Sequence, residues 1–242
     1  MGLSAHEVAR IIGDDYNRHV ANSAPDDFWG QVKRHVFGRP VGADQIELIV
    51  DAATRALSLE ADDVLLDLGC GNGALAHHLF GACSEYFGVD ISTALVTVAN
   101  ANFAAGPYFA FTVDHVADYV SREARPERFT KVMCYGTFPY LVQESATHVL
   151  QTLATRFPNV RRVFLGNLPD LERVNAFYPG VSALHPALGN PLSEIGIWRT
   201  PDAFKQLAEE TGWSVELTNM PSSFYAAHYR YDATLSRKPA GY

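Results

Sequence analysis

The segment Val64-Leu65-Leu66-Asp67-Leu68-Gly69-Cys70-Gly71-Asn72-Gly73 constrains the fold more than any other part of the 242 residues. A run of buried-strand type carries an acid and passes directly into a loop with glycine at every second place. An amphipathic stretch, residues 74–80, follows. Strand, glycine loop and helix in that order bring backbone amides and a helix N-terminus up to a ligand. The glycines permit a sharp turn and remove the Cβ atoms that would hold a ligand away. Asp67 needs a partner, and the ammonium group of a ligand would supply one.

The pattern repeats along the chain. Strands are expected at 64–68, 86–89, 108–113, 129–135 and 162–165, alternating with helices at 73–80, 92–103, 116–121 and in the stretch around Ala146–Leu153. Thr200 caps a further helix with Pro201 at its first position and Gly212 after its end. Two strands, 214–218 and 226–235, close the chain and should pair antiparallel. Upstream, Ser4-x-x-Glu7 is a capping box for a helix to about Ile12. Residues 26–36 suit a second short helix, and the spacing of Ile46, Ile49, Val50, Ala53 and Leu57 gives a helix over 44–57. Strand–helix alternation with a terminal hairpin points to an α/β protein, a mostly parallel sheet with one reversed strand.

The motif Asp67-x-Gly69-x-Gly71-x-Gly73 resembles the first motif of the class I S-adenosylmethionine-dependent methyltransferases. The resemblance extends over roughly residues 59–238. It implies a Rossmann-like seven-stranded sheet, ordered 3-2-1-4-5-7-6, with helices on both faces. It also implies S-adenosyl-L-methionine as cofactor, held by the loop residues Gly69, Cys70, Gly71, Asn72 and Gly73 and by Asp67. Residues 1–58 read as a helical N-terminal lid or cap. Residues 59–242 read as the cofactor-binding domain, with a substrate insertion at about 173–199.

Two further anchors suit that cofactor. Asp90 ends the second strand about 20 residues after the glycine loop, where an acid accepts hydrogen bonds from ribose hydroxyls. The alternative, a helix cap, is filled better by Ser92. By the resemblance, Ile91 packs on the adenine. Asp114 then accepts from its amino group, and the amide of His115 reaches a ring nitrogen; Asp114 also suits an ordinary helix cap. Asp67 separates the candidate cofactors. Gly69-x-Gly71-x-x-Ala74 passes as a dinucleotide fingerprint, but a diphosphate does not favour a carboxylate just before its loop, whereas an ammonium does. No metal is expected, because Asp114, His115 and Asp118 find no further ligands elsewhere.

The acceptor side is drawn from scattered residues. Tyr135, Phe138 and Tyr140 leave the fourth strand beside the expected methyl position, where aromatic faces attract a sulfonium. Tyr135 is also a candidate for cofactor contact and catalysis. Asn167, after the fifth strand, is placed to orient an acceptor or simply to make a turn. Tyr16, Trp29 and Lys33 lie in the lid region, and Tyr178, His185 and Trp198 in the insertion. His185 is the candidate general base, with a structural histidine as the alternative.

Composition limits the partners. A net charge of -8, with only short basic runs at Lys33-Arg34-His35 and Arg161-Arg162, argues against nucleic acid. Cys70, Cys83 and Cys134 have neither metal nor redox spacing, which suits a reducing, cytoplasmic setting. No apolar run is long enough for a membrane span. The acid required after the fourth strand for a catechol-type magnesium site is absent, as is the Asn/Asp-Pro-Pro-aromatic tetrapeptide of nucleic-acid amino-methylating enzymes. The expectation is a metal-free enzyme, monomeric or homodimeric, methylating oxygen or nitrogen of a small molecule. An RNA or protein methyltransferase, an NAD-dependent oxidoreductase and a transfer-inactive binding module are the alternatives.

Overall fold

The computed structural model describes residues 3–36 and 38–238. Seven strands form one sheet: β1 (Val64–Leu68), β2 (Glu85–Asp90), β3 (Phe109–Val113), β4 (Lys131–Tyr135), β5 (Arg162–Pro169), β6 (Trp213–Asn219) and β7 (Arg230–Arg237). Their order is β3-β2-β1-β4-β5-β7-β6, and β7 alone runs against its neighbours. This is the order the resemblance implies. Chain direction along the sheet reverses between β1 and β4, so a crevice opens at their carboxyl ends.

The strands are apolar on both sides because helices cover both faces. Leu66 and Leu68 enter a core formed with α6 (Val116–Arg122), α7 (Gln143–Arg156) and α9 (Pro201–Glu210), where Val120, Leu150 and Phe204 are buried. Leu65 points the other way, to a core with α3 (Ala43–Leu57), α4 (Ala74–His77) and α5 (Thr93–Asn102), where Ile49, Leu57 and Leu79 are buried. Lys131 ties α3 to the sheet. Its ammonium donates to the carbonyls of Leu57 and Ser58 and lies 3.3 Å from Asp63. Although the sequence boundary at 58 groups α3 with the lid, α3 packs on the sheet. Only the residues before it reach over the crevice.

The capping box is present: Glu7 N–H donates to Ser4 Oγ, and Ser4 N–H to the Glu7 carboxylate at 2.8 Å. The helix it opens, α1 (Ala5–Ala21), runs well past Ile12. Gly13 reads locally as a breaker. It is instead a contact point, where a Cβ would come within 3.3 Å of Ile91. Asn17, one turn on, accepts from Ser92 Oγ at 2.8 Å and from the Ala94 amide at 3.0 Å. Tertiary contact thus sustains a helix that local propensity would end. The expected helix at 26–36 shrinks to α2 (Phe28–Gln31). Lys33 takes a φ of +56°, and residues 35–36 pair with 39–40 as a small hairpin. In the insertion, α8 (Val174–Phe177) and a single turn over Pro186–Gly189 are the only helical pieces among the described residues. No helix among the described residues is long and apolar enough to cross a membrane.

Candidate active site

The carboxyl ends of β1, β2, β4 and β5 open into a cavity of about 320 Å³. An apolar side cavity of about 50 Å³ continues from it and shares Gly69, Asp90, Ile91, Thr137 and Tyr140. Ala5, Val8, Ala9 and Ile12 of α1 roof the side cavity. Tyr16, Trp29, Val32 and Arg34 roof the larger one together with Phe177, Ile195 and Tyr225.

The glycine loop is held in place from behind. Gly69 has a φ of +90°, and a Cβ there would lie 1.9 Å from Thr137 Oγ1. No other residue fits that position without displacing the loop. The Gly71 and Ser92 amides each donate to Asp90 at 2.9 Å, one to each carboxylate oxygen. Ser92 Oγ accepts from the Leu95 amide, so Ser92, not Asp90, caps α5. Asn72 donates to the Phe28 carbonyl at 2.7 Å and to Gln31 at 2.9 Å, tying the loop to α2. Cys70, Gly71 and Asn72 line the cavity, whereas Gly73 makes room for Phe111 and Ala99 behind it.

Asp67 is buried at the cavity wall. Tyr86 Oη donates to one carboxylate oxygen at 2.5 Å, and the other, Oδ1, has no partner among the described residues. Burial pushes the carboxyl up to about 7, opposed by the Tyr86 bond. Burial raises Asp90 as well, against the two amide bonds that favour its charge. An unmatched buried acceptor costs free energy until a donor fills it, and a cation fits Asp67 better than a neutral donor. Asp114 is not on either cavity wall. Arg122 donates to its Oδ2 through Nε at 3.1 Å and Nη2 at 2.5 Å. His115 lines the side cavity; its Nδ1 makes no hydrogen bond among the described residues, lies 3.7 Å from Asp118, and burial lowers its pKa. His6, His115 and Asp118 bring ligand atoms within 4.8 Å of one another, a trio that could hold a metal ion and that joins α1 to α6.

The other half of the cavity gathers some expected residues and omits others. Tyr16, Trp29, Lys33, Tyr135, Tyr140 and Asn167 line it. Lys33 is paired with Asp15 at 2.5 Å and lies over the Tyr16 ring. Tyr135 Oη is buried without a partner among the described residues, and burial raises its pKa, so the phenol stays protonated near neutrality. Asn167 sits in a bulge of β5 with a φ of +67°. Its N–H donates to Asp232 at 2.8 Å, its carbonyl accepts from Arg230 Nη1 at 2.5 Å, and its side-chain oxygen is free.

Four expected residues lie elsewhere. Phe138 is buried against Phe204 in the core beneath. Tyr178 and Trp198 pack with Phe177 and Tyr229 behind the wall, at centroid separations of 4.5–6.1 Å. His185 is exposed, and its Nδ1 accepts from the Ala187 amide at 3.2 Å. It caps a turn and does not face the cavity. The insertion's aromatic side chains satisfy one another, so their composition says little about the site. Residues not expected there complete the wall: Arg34, Tyr225, Tyr229 and Arg230, with Glu194 exposed beside them. Lys33-Arg34-His35 reads as a short basic run, and the turn at Lys33, ahead of the hairpin, brings Arg34 inward. The aromatic content of 224–231 was the available signal for the rest.

Residues 65–157 match a family described as a methyltransferase domain. No curated protein sequence matches the chain. Among solved structures, the cyclopropane synthase MmaA2 from Mycobacterium tuberculosis is 13% identical, with a TM-score of 0.67 over 93% of this chain and 98% of its own. Magnesium protoporphyrin IX methyltransferase from Synechocystis with bound SAM is 17% identical, with a TM-score of 0.60 over 98% and 100%. A complex of DhpI with SAH is 13% identical, with a TM-score of 0.65 over 98% and 100%. Proteins of this fold differ in acceptor, so specificity resides in the residues that surround the shared core.

Proposed function

We propose that the chain, whose residues 65–157 match a methyltransferase domain, is a class I S-adenosylmethionine-dependent methyltransferase that methylates an oxygen or nitrogen of a small-molecule acceptor. The roof carries this reading. α1, α2, the insertion and the 224–230 segment all cover the cavity, leaving about 320 Å³ beneath them. Cofactor and acceptor share this volume, which lies near the low end of the usual pocket range of about 300–1,000 Å³, so only a small acceptor fits beside the cofactor. A polymer would need an open track, and an RNA would need a basic one.

When bound, S-adenosylmethionine supplies an electrophilic methyl group on a positively charged sulfur. The chain's residues bind, orient and exclude water. Asp67 Oδ1 is suited to accept from the amino-acid ammonium, and Asp90 from ribose hydroxyls. The apolar side cavity beneath α1, with Ile91 and His115 in its wall, suits the adenine. Asp114, off both walls with its Oδ2 held by Arg122, takes no part in this reading. Tyr135 keeps its proton and acts as a donor, orienting the acceptor together with Asn167. Correct placement of two reactants can contribute roughly 7–11 kcal/mol.

The test is release of S-adenosylhomocysteine from the full-length protein. Panels of small hydroxylated, carboxylated and amino compounds are compared with total RNA and with a protein lysate. Turnover with a small compound is the expected result. Turnover confined to RNA or protein would overturn the reading.

A further inference from the structure

Five of the seven buried side-chain atoms that lack a partner among the described residues belong to residues on this one cavity: Arg34, Asp67, Tyr135, Asn167 and Arg230. Buried polar groups are normally satisfied within the protein, so their concentration in one place marks where a ligand completes them. They divide by chemistry and by position. Asp67 Oδ1 on β1 and Asn167 Oδ1 on β5 are acceptors. Arg34 Nη1, Arg230 Nε and Tyr135 Oη are donors.

The sheet gives the spacing. From β1 the order runs β4, β5, β7, so Arg230 begins a strand three intervals away, about 14 Å from Asp67 across the sheet. Tyr135 and Asn167 stand on the strands between. Arg230 therefore lies beyond the end of the cofactor that Asp67 marks, with Tyr135 between them. Arg230 is only 7% exposed. Its guanidinium lies 4.8 Å from the Tyr229 ring centroid, and its Nη1 is committed to the Asn167 carbonyl. Arg34 comes down from the roof to 4.8 Å from the Tyr135 ring centroid. Neither arginine is ion-paired with a carboxylate among the described residues. Asp232 is engaged by the Asn167 amide, and Glu194 is exposed. Arg230 Nε and Arg34 Nη1 are buried donors without an acceptor, which is costly, and an anion between the two would satisfy both.

We infer that the acceptor carries an anionic group, a carboxylate or a phosphate-type oxyanion, held between Arg230 and Arg34 with the Tyr135 hydroxyl as a third donor. This rests on the small-molecule reading and names the class of molecule. The aromatic rings of Tyr225 and Tyr229 beside the arginines suit an apolar body attached to that group. Arg230 and Arg34 are thereby specificity-determining residues that grip the acceptor away from the transferred methyl.

The same donors would also attract the cofactor's own carboxylate, so the test separates the two sources. Protein saturated with S-adenosylhomocysteine is titrated with benzoate, phenyl phosphate and the neutral benzamide, read by calorimetry. Benzoate or phenyl phosphate should bind about 10–100-fold more tightly than benzamide, the worth of a charge-assisted contact. Arg230→Gln should abolish that preference while leaving S-adenosylhomocysteine affinity within about twofold. Arg34→Gln, at a half-buried position, serves as the second variant should Arg230→Gln fold poorly. Equal binding of all three compounds, no binding of either anion, or anion binding only when S-adenosylhomocysteine is absent would each overturn the inference. The small-molecule reading fails separately, by turnover restricted to RNA or protein.

Discussion

The two halves of the cavity are built in different ways. The β1–β2 half is made from two short stretches, residues 67–73 and 90–92, joined by amide-to-carboxylate bonds at Asp90. The half at β4, β5 and β7 takes one or two side chains from each of several distant segments, from Tyr16 on α1 to Arg230 on β7. The first is a backbone structure that glycine and aspartate impose locally. The second exists only after the sheet has formed. An invariant reactant can be held by the first kind, while the second can change with the acceptor at little cost to the fold.

Breaking the first half should have the larger effects. Gly69→Ala sets a Cβ against Thr137 at a φ of +90°. Strain of this kind should weaken S-adenosylhomocysteine binding roughly 10–100-fold by calorimetry. Unaltered binding would show that the loop does not need its present path.

Asp67 gives the next effect. Its carboxyl is raised to about 7 in the folded protein from an ordinary value near 3.8. A raised acid adds stability that is complete below about pH 4 and is lost as pH rises through about 7. Asp232, raised to about 6, acts in the same direction over a narrower window. An ammonium needs the ionised form, so affinity for S-adenosylhomocysteine should rise about tenfold from pH 6 to pH 8. Asp67→Asn should flatten that profile. A flat profile in the unsubstituted protein would exclude Asp67 from the contact.

Asn167 sharpens the comparison from the other side. Asn167→Gly relieves the positive φ and should raise stability by roughly 0.5–1 kcal/mol in thermal melts, while removing a buried side-chain oxygen at the cavity wall. A more stable protein with a raised KM for acceptor and unchanged cofactor affinity is the expected outcome. A destabilised protein would mean the bend is not strained. The smallest effect belongs to His185→Ala, which should leave both kcat and KM within about twofold, since the ring is exposed and bonded only to its own turn. A large loss of kcat would return His185 to the reaction.

The same division explains what the sequence disclosed. Val64–Leu68 reads as a strand, and Ser92 and Thr200 read as caps, because each signal is local. Asp67 and Asp90 are legible because strand ends and the glycine loop fix where their side chains emerge. α1 is underestimated because Gly13 and Asn17 are justified only by Ile91 and Ser92, far away in sequence. Arg34 and Arg230 are missed for the same reason: their positions depend on a tight turn at Lys33 and on β7 lying beside β5. Tyr178, Trp198 and His185 mislead because aromatic residues and histidine in a long loop can pack on themselves as readily as on a ligand.

The direct test of this division is calorimetric binding of S-adenosylhomocysteine to the unsubstituted protein, to Asp90→Ala and to Asn167→Ala. Loss of a charged hydrogen bond should cost Asp90→Ala about 1.5–3 kcal/mol of affinity, while Asn167→Ala binds as the unsubstituted protein does. Equal affinity in all three, or a loss confined to Asn167→Ala, would contradict the assignment of the β1–β2 half to the cofactor.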